Sequence, residues 1–397
     1  MSSSPHLPAI GRRGLLLGLA AVAALGPARL ALAQAPGDPR LVVILLRGAL
    51  DGLHAVVPYG DPGLAALRSG FAPPEPGQEG GLLDLGGFFG LHPAMPGLHA
   101  LYRAGEAAIV HAVAGPYRTR SHFEAQDLLE AGAEQRLASG WLNRALAGLP
   151  PRRNGTPRGG LSIGLDVPLL LRGAVPVGAY AQTPESAPAP ELLDRLAALY
   201  AADDRLAGPF AEGLRGRLYA SGQVGAPPRE RGFAVLCGLA ARLLAAPDGP
   251  RVAALELGGW DTHANQLARL PPALGQLDAG LIALKEGLGA AWARTAVLAI
   301  TEFGRTAHVN GTVGTDHGTG GVAFLAGGAI RGGRVIADWP GLAEGNLLQR
   351  RDLQPTRDLR AIAKGLLRDH LRLSNNAVAA AFPGSDTVRP EAGLLRG

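Results

Sequence analysis

The stretch Ala296–Gly328 reads AVLAITEFGRTAHVNGTVGTDHGTGGVAFLAGG and indicates how the chain folds. Its two apolar runs, Ala296–Thr301 and Val322–Leu325, are bounded by glycine-rich segments, as is typical of neighbouring strands buried on both faces of a sheet. The segment between them carries five side chains suited to catalysis or metal binding: Glu302, Arg305, His308, Asp316 and His317. Because ligands bind at the carboxyl ends of strands in an open α/β sheet, we expect half of an active site here.

Two further apolar runs predict strands that end close to an acid. Leu41–Leu46 is followed by Asp51, which is either a ligand at the sheet edge or part of an Asp-Gly turn. Val252–Leu257 leads into Asp261 and His263, which are two residues apart. In an extended loop this spacing places both side chains on one side, where they can share a metal; alternatively, the acid only orients the imidazole.

A strand predicted over Ala107–Val113 precedes a candidate nucleophile. Ser121 begins a helix predicted over residues 122–130, and Arg120 stands just before it. Helix N-termini bind anions, so a hydroxyl at this position is suited to attack a phosphoryl or sulfuryl centre. The same serine is equally compatible with a plain helix cap, and the sequence leaves both interpretations open.

Composition excludes several classes of protein. Of the 397 residues, 47% are hydrophobic and 18% charged, which is typical of a globular protein with a large core. Outside residues 1–33 the chain carries 35 basic and 33 acidic residues, so no basic patch suggests nucleic-acid binding. The only cysteine, Cys237, rules out an intrachain disulfide and a multi-thiolate metal site.

Residues 1–33 have the features of an export signal. The pair Arg12-Arg13 precedes an apolar run, and Ala31-Leu32-Ala33 matches the pattern that signal peptidases accept. The paired arginines predict the twin-arginine machinery as a partner, which exports folded proteins. We therefore expect a periplasmic or secreted protein with no integral membrane segment once the signal is removed.

The rest of the chain predicts one α/β domain over residues 34–397. It has a mostly parallel central sheet with helices on both faces. Residues 188–246 are interpreted as a helical insertion or cap, with candidate helices Glu191–Tyr200, Asp204–Tyr219 and Arg229–Ala246. Near the end, Arg357–His370 predicts a basic amphipathic helix with His370 on its surface.

Four segments together carry a family resemblance. They are LVVILLRGALDGLHAVVPYGDP from residue 41, HAVAGPYRTRSHFEAQD from 111, ELGGWDTHANQ from 256, and ITEFGRT from 300 followed by GTDHGTGGVAFLAGG from 314. Over residues 40–372 the chain resembles the exported bacterial family catalogued as domain of unknown function 1501. That family is in turn similar to the alkaline phosphatase–sulfatase superfamily, which implies a three-layer sandwich.

The resemblance also implies site residues. Asp51 matches the acid after the first strand, and Ser121 falls where the superfamily carries its nucleophile. Asp261 with His263, and Asp316 with His317, resemble the later metal ligands; Glu302 is an alternative to Asp316 because it directly follows the strand. Three features depart from the superfamily pattern: the Asp-x-His spacing, the position of Glu302, and His122 beside Ser121.

These residues lead to two main functional hypotheses and a weaker third. The first is a hydrolase of small phosphate or sulfate esters. Either Ser121, with His122 beside it, attacks the ester, or a metal-activated water does so directly. Arg120 or Arg305 neutralises the anionic substrate. It would use one or two divalent ions, zinc or manganese first and calcium as a possibility, held by Asp51, Asp261, His263, Glu302, Asp316 and His317. The second is an exported binding or assembly protein that retains the fold without catalysis. The third is a serine hydrolase of carboxylic esters that uses Ser121 and His122, but adjacent residues in a helix point roughly 100° apart and do not easily meet as nucleophile and base.

Overall fold

The computed structural model describes residues 38–149, 159–164, 166–181, 189–203 and 231–397, with residues 206–208, 210, 211, 214, 222 and 223. The predicted signal, residues 1–33, lies outside these ranges. The described residues from Pro39 to Gly397 form one compact unit. Among the described residues, no helix combines the length and apolar character needed to cross a membrane.

A nine-stranded sheet lies at the centre of this unit, with the spatial order β11-β5-β10-β9-β1-β8-β6-β7 and β12 paired to β5. A smaller antiparallel sheet has the order β2-β4-β3. In chain order the strands are β1 Arg40–Leu46, β2 Val56–Val57, β3 Leu83–Asp84, β4 Gly90–Leu91, β5 Ala107–Ala114, β6 Gly160–Ile163, β7 Gly178–Tyr180, β8 Val252–Leu257, β9 Thr295–Thr301, β10 Gly321–Ala326, β11 Arg334–Ile336 and β12 Arg357–Asp358.

The large sheet is mostly parallel, as predicted. β1 pairs in parallel with β8 and β9, whereas β10 runs antiparallel to both of its neighbours, β5 and β9. The remaining described pairs in this sheet are parallel. Parallel strands require cover on both faces, which the helices provide.

Helices cover both faces of the sheet. In chain order they are α1 Gly52–Ala55, α2 Leu64–Arg68, α3 Pro96–Arg103, α4 His122–Ala131, α5 Trp141–Gly148, α6 Pro190–Tyr200, α7 Phe233–Ala245, α8 Gln266–Leu288, α9 Leu359–Gly365 and α10 Asn375–Ala381. Along β1, Val42 and Ile44 share a core with α3, α7 and α8, whereas Leu41 and Val43 share the other core with α5, α9 and α10. This period-two alternation produces a three-layer arrangement and confirms the predicted α/β class.

The helical region predicted over residues 188–246 is described in part. α6 and α7 correspond to its first and last candidate helices, and most of the middle candidate lies outside the described residues. α7 packs against α8 and the sheet within one hydrophobic core.

The segment Arg357–His370 differs from the predicted surface helix. Its first two residues form β12, and its last turn, Leu366–His370, is a π-helix. His370 is only 5% exposed, and its Nε2 bonds to the carbonyl oxygen of Arg40 at 2.8 Å. The prediction of a surface histidine was wrong because this segment packs under β1 and its basic residues do not mark a solvated face.

Candidate metal centre

Five loops meet at one edge of the large sheet. β1, β8 and β9 are parallel neighbours in register, with Leu46 opposite both Leu257 and Thr301, so the loops that follow them emerge together. β5 points the same way, and β10 is antiparallel, so the residues before Gly321 lie at this same edge. The strand directions alone therefore bring together segments around residues 48, 121, 261, 302 and 317.

Three imidazoles face one carboxylate oxygen at this edge. Nε2 of His263, His317 and His122 lies 3.1, 3.4 and 3.6 Å, respectively, from Oδ1 of Asp261. Nε2 of His263 and Nε2 of His317 are 2.9 Å apart. Among the described residues, the ligand atoms of His122, Asp261 and His317 form a group within 4.8 Å of one another. We call His122, Asp261, His263 and His317 the metal cluster.

The other ring nitrogen of each histidine is held by an acceptor. Nδ1 of His122 bonds to Oε1 of Glu302 at 2.8 Å, and Nδ1 of His263 bonds to Oδ1 of Asp316 at 3.1 Å. Nδ1 of His317 bonds to the carbonyl oxygen of Arg120 at 2.9 Å. A carbonyl or ionised carboxylate cannot donate, so each Nδ1 carries a proton, and a ring with no second proton presents a bare Nε2 to the centre. Metal-binding histidines are held in this way.

The pKa values of the two orienting acids support this assignment. Burial would raise the pKa of Glu302, but hydrogen bonds from His122 and Gln126 hold it below its usual range. The hydrogen bond from Asn310 lowers the pKa of Asp316. Both carboxylates are therefore ionised near neutral pH and act only as acceptors.

The donor set fits a divalent cation. Nε2 of His122 is buried and has no hydrogen-bond partner, a defect that typically costs about 1–3 kcal/mol and that a cation would remove. The bond to Glu302 raises the pKa of His122, so the surroundings favour positive charge there. In a tetrahedral site with bonds of about 2.0–2.2 Å, donors lie roughly 3.3–3.6 Å apart, close to the separations around Asp261 Oδ1.

Arg305 fixes the carboxylate of the cluster. Its side chain has no exposed surface, and its Nη1 donates to Oδ1 of Asp261 at 2.8 Å. Burial would raise the pKa of Asp261, but the guanidinium lowers it. The Asp261 side chain remains 46% exposed, so the cluster opens to solvent on this side.

The structure places Asp51 outside the metal cluster. Oδ2 accepts bonds from Nη1 of Arg68 at 2.8 Å and from Nε2 of Gln266 at 2.7 Å, and Oδ1 accepts the backbone N–H of His54 at 3.2 Å. The carboxylate is fully buried and neutralised by Arg68. Asp51 thus anchors α1 and α2 below the cluster.

Ser121 and Arg120 stand where β5 leads into α4. Ser121 is the N-cap residue of α4, but its side chain makes no capping bond, and its N–H donates to Oη of Tyr117 at 3.0 Å. The Arg120 guanidinium donates to Oδ2 of Asp352 through Nε and Nη2. The Ser121 hydroxyl is therefore not used as a helix cap. The charge of Arg120 is compensated by the carboxylate of Asp352.

Sequence reasoning thus identified most of the residues at this edge but not all of their positions. It proposed Asp261, His263 and His317 as ligands, and these are three members of the cluster. It placed His122 beside the nucleophile and gave no role to Gln126, Arg68 or Asp352. The position of His122 at the start of α4, the helix that follows β5, was the signal that could have indicated a ligand. Its contact with Asp261 depends on the tertiary structure.

The fold and this edge define a mixed α/β protein with a candidate centre of three histidines and one aspartate. The chain belongs to the family described as "Protein of unknown function (DUF1501)", whose model matches residues 110–382, more than half of the chain. The membership expected from the sequence is confirmed. No curated protein matches this sequence.

Several solved structures are similar at low identity. The C-terminal periplasmic domain of EcEptC from Escherichia coli, in complex with Zn, has 10% identity and a TM-score of 0.35, with 74% of each chain covered. A protein in the alkaline phosphatase superfamily from Vibrio parahaemolyticus has 13% identity and a TM-score of 0.35, covering 83% of this chain and 66% of its own. The alkaline phosphatase from the Antarctic bacterium TAB5 has 11% identity and a TM-score of 0.37, covering 73% and 92%. Similarity at this level carries no argument about the reaction.

Proposed function

We propose that this protein is a metal-dependent hydrolase of phosphate or sulfate esters, with its ion held by His122, Asp261, His263 and His317. One observation carries the proposal: three Nε2 atoms converge on Oδ1 of Asp261 while every Nδ1 is held by an acceptor. Such an arrangement leaves lone pairs facing a carboxylate, which is unfavourable unless a cation lies among them. The ester class follows from the sequence resemblance and from the positive charge of Arg305 at the centre.

The types of donor in the metal cluster favour one ion over the others. Three imidazole nitrogens and one carboxylate suit zinc first and manganese second, whereas calcium prefers six to eight oxygen ligands. The metal cluster supplies donors for one ion, and Glu302 and Asp316 serve as orienting acids. We therefore propose a single zinc ion.

The protein's own groups would divide the work as follows. When bound, the ion would act as a Lewis acid that polarises the ester and stabilises negative charge. Ser121, whose hydroxyl is not used for capping, is the proposed nucleophile at the N-terminus of α4. Arg305 holds Asp261 in place and keeps it ionised.

The alternative, a non-catalytic binding or assembly protein, is favoured by one observation. Asp51, expected as a metal ligand, and Arg120, expected to neutralise the substrate, are each engaged by a partner of opposite charge. This alternative retains the metal but not the turnover.

In either case we propose export to the periplasm or beyond by the twin-arginine route, which rests on Arg12-Arg13 and the cleavage pattern ending at Ala33.

Two measurements on the purified protein test these proposals. Elemental analysis should find about one zinc per chain in the wild type and in the control His99→Ala, and much less in Asp261→Ala. Phosphate and sulfate esters should then be turned over by the wild type and far more slowly by Ser121→Ala. A wild type without metal after zinc addition contradicts the centre. Bound zinc with no turnover of any ester favours the binding protein.

A further inference from the structure

Asp352, which lies outside the metal cluster, binds the side chain of Arg120, the residue that orients His317, and also binds Thr319 in the loop of that histidine. Oδ2 of Asp352 accepts bonds from Nε and Nη2 of Arg120 at 2.9 and 2.7 Å and from Oγ1 of Thr319 at 2.8 Å. Arg120 supplies the carbonyl oxygen that accepts from Nδ1 of His317, and Thr319 lies two residues after that histidine. One buried oxygen atom therefore ties the acceptor and the histidine loop together.

The backbone around Asp352 is unusual in a way that these contacts explain. Arg120 has a φ of +63°, and Gln349 and Arg350 have φ of +56° and +52°, the left-handed region that non-glycine residues rarely adopt. Two backbone hydrogen bonds, at 2.9 and 3.0 Å, join Leu348 and Asp352 and close the turn that contains Gln349 and Arg350. Oε1 of Gln349, in that turn, accepts from Nη2 of Arg120 at 2.9 Å. Strained conformations persist only where the surroundings determine them, often next to a functional site.

We propose that Asp352 is a positioning residue of the metal centre. Through Arg120 it fixes the carbonyl that holds Nδ1 of His317 and thereby sets where Nε2 points. This inference rests on the proposed function, because it takes His317 as a ligand. It also assigns Arg120: with its guanidinium occupied by Asp352 and Gln349, the residue supports a ligand and does not neutralise the substrate.

The test is a double-mutant cycle read out by zinc affinity, which requires no substrate. Zn²⁺ binding is measured by competition with a chelator for the wild type, Asp352→Asn, Arg120→Met and the double variant. We expect each single variant to bind zinc about 10- to 100-fold more weakly. The double variant should be no weaker than the weaker single one, since both changes act through the same carbonyl.

A matched control and a spectroscopic measurement separate positioning from general damage. Asp338→Asn removes an exposed ion pair, since Asp338 is 68% exposed and lies 3.1 Å from Arg357, and it should leave zinc affinity unchanged. With Co²⁺ in place of zinc, the visible absorption bands should change in Asp352→Asn and not in the control. Far-UV circular dichroism of each variant verifies that it is folded.

Each outcome decides the matter. Wild-type zinc affinity in Asp352→Asn, or losses that simply add in the double variant, would overturn the positioning role while leaving the metal centre intact. No zinc binding by the wild type would overturn the centre itself, and this inference with it. If Asp352→Asn does not fold, Arg120→Met removes the same ion pair from the other side and keeps the backbone carbonyl, and unchanged zinc affinity and cobalt bands in that variant would equally contradict the proposal.

Discussion

The carboxylate of Glu302 accepts three hydrogen bonds through one oxygen. Oε1 receives Nδ1 of His122 at 2.8 Å, the backbone N–H of Gly48 at 2.9 Å and Nε2 of Gln126 at 3.0 Å. The donors come from the loop after β1 and from α4, and Glu302 itself follows β9, so one residue aligns three elements and sets the direction of His122. Outer partners of this kind raise the basicity of the imidazole that they hold.

If the proposed zinc ion is bound, Glu302→Gln should weaken its binding without removing it. The amide oxygen can still accept from His122, but the negative charge is lost, so we expect zinc affinity to fall about 10- to 100-fold. The measurement is zinc competition with a chelator, and the exposed Glu286→Gln serves as the control. Affinity equal to that of the wild type would show that Glu302 does not support the centre.

Individual residues also show where sequence reasoning stops. Glu302 follows β9 and Asp316 precedes β10, and both lie at the same edge of the sheet. The sequence therefore left open which of them is the acidic ligand. The structure places each on Nδ1 of a different histidine. Sequence spacing reports that an acid is near an imidazole, but not which ring nitrogen it contacts.

At the scale of elements, α7 and α8 pack closely because glycines in α8 face α7. A Cβ at Gly287 would lie 2.6 Å from Cβ of Ala241, and one at Gly280 would lie 2.6 Å from the ring of Phe233. By contrast, the nearest atom to a Cβ at Gly275, in the same helix, is 3.9 Å away. The helix thus contains both a required glycine and a dispensable one.

Gly287→Ala should destabilise the protein, whereas Gly275→Ala should not. Overpacking typically costs about 1–3 kcal/mol, which exceeds the gain of up to about 1 kcal/mol in helix propensity. At Gly275 the alanine side chain meets no close neighbour, so only the gain in helix propensity applies. The free energy of unfolding in urea checks both variants, and equal stability of the two would refute the packing argument.

The direction of β10 explains the order of residues in the site. The sequence predicts neighbouring strands over Ala296–Thr301 and Val322–Leu325, and β9 and β10 are indeed paired. Their antiparallel pairing returns the chain to the same edge, so Asp316 and His317 precede β10 although Glu302 follows β9. Apolar runs buried on both faces predict strands, but their direction depends on pairing and not on their composition.

At the scale of the whole molecule, three buried histidines tie stability to pH. Burial lowers the pKa of His54 to about 3 and those of His92 and His111 to about 4. They are neutral in the folded protein, whereas the unfolded chain binds protons on them below about pH 6.5. Their contribution to stability is therefore complete above that pH and is lost as the pH falls toward 3–4.

His54→Leu should make the protein less sensitive to acid. With a chelator present to remove any metal, the free energy of unfolding of the wild type should fall between pH 7 and pH 5. The slope of this free energy against pH should be smaller in the variant by up to about 1.4 kcal/mol per pH unit, the value for one proton. Urea titrations at several pH values measure this slope. The same slope in both proteins would mean that His54 does not remain neutral on folding.

The sequence by itself determined the class of fold, the family and most of the polar residues at the candidate site. It did so because buried strands require apolar runs and because side chains after parallel strands share one edge. The tertiary structure alone decided which side chains meet. It brought His122 from α4 to Asp261, turned Asp51 toward Arg68, and paired Arg120 with Asp352 across 232 residues of chain. Such contacts depend on strand order, strand direction and side-chain orientation, which are properties of the packed chain and not of any local segment.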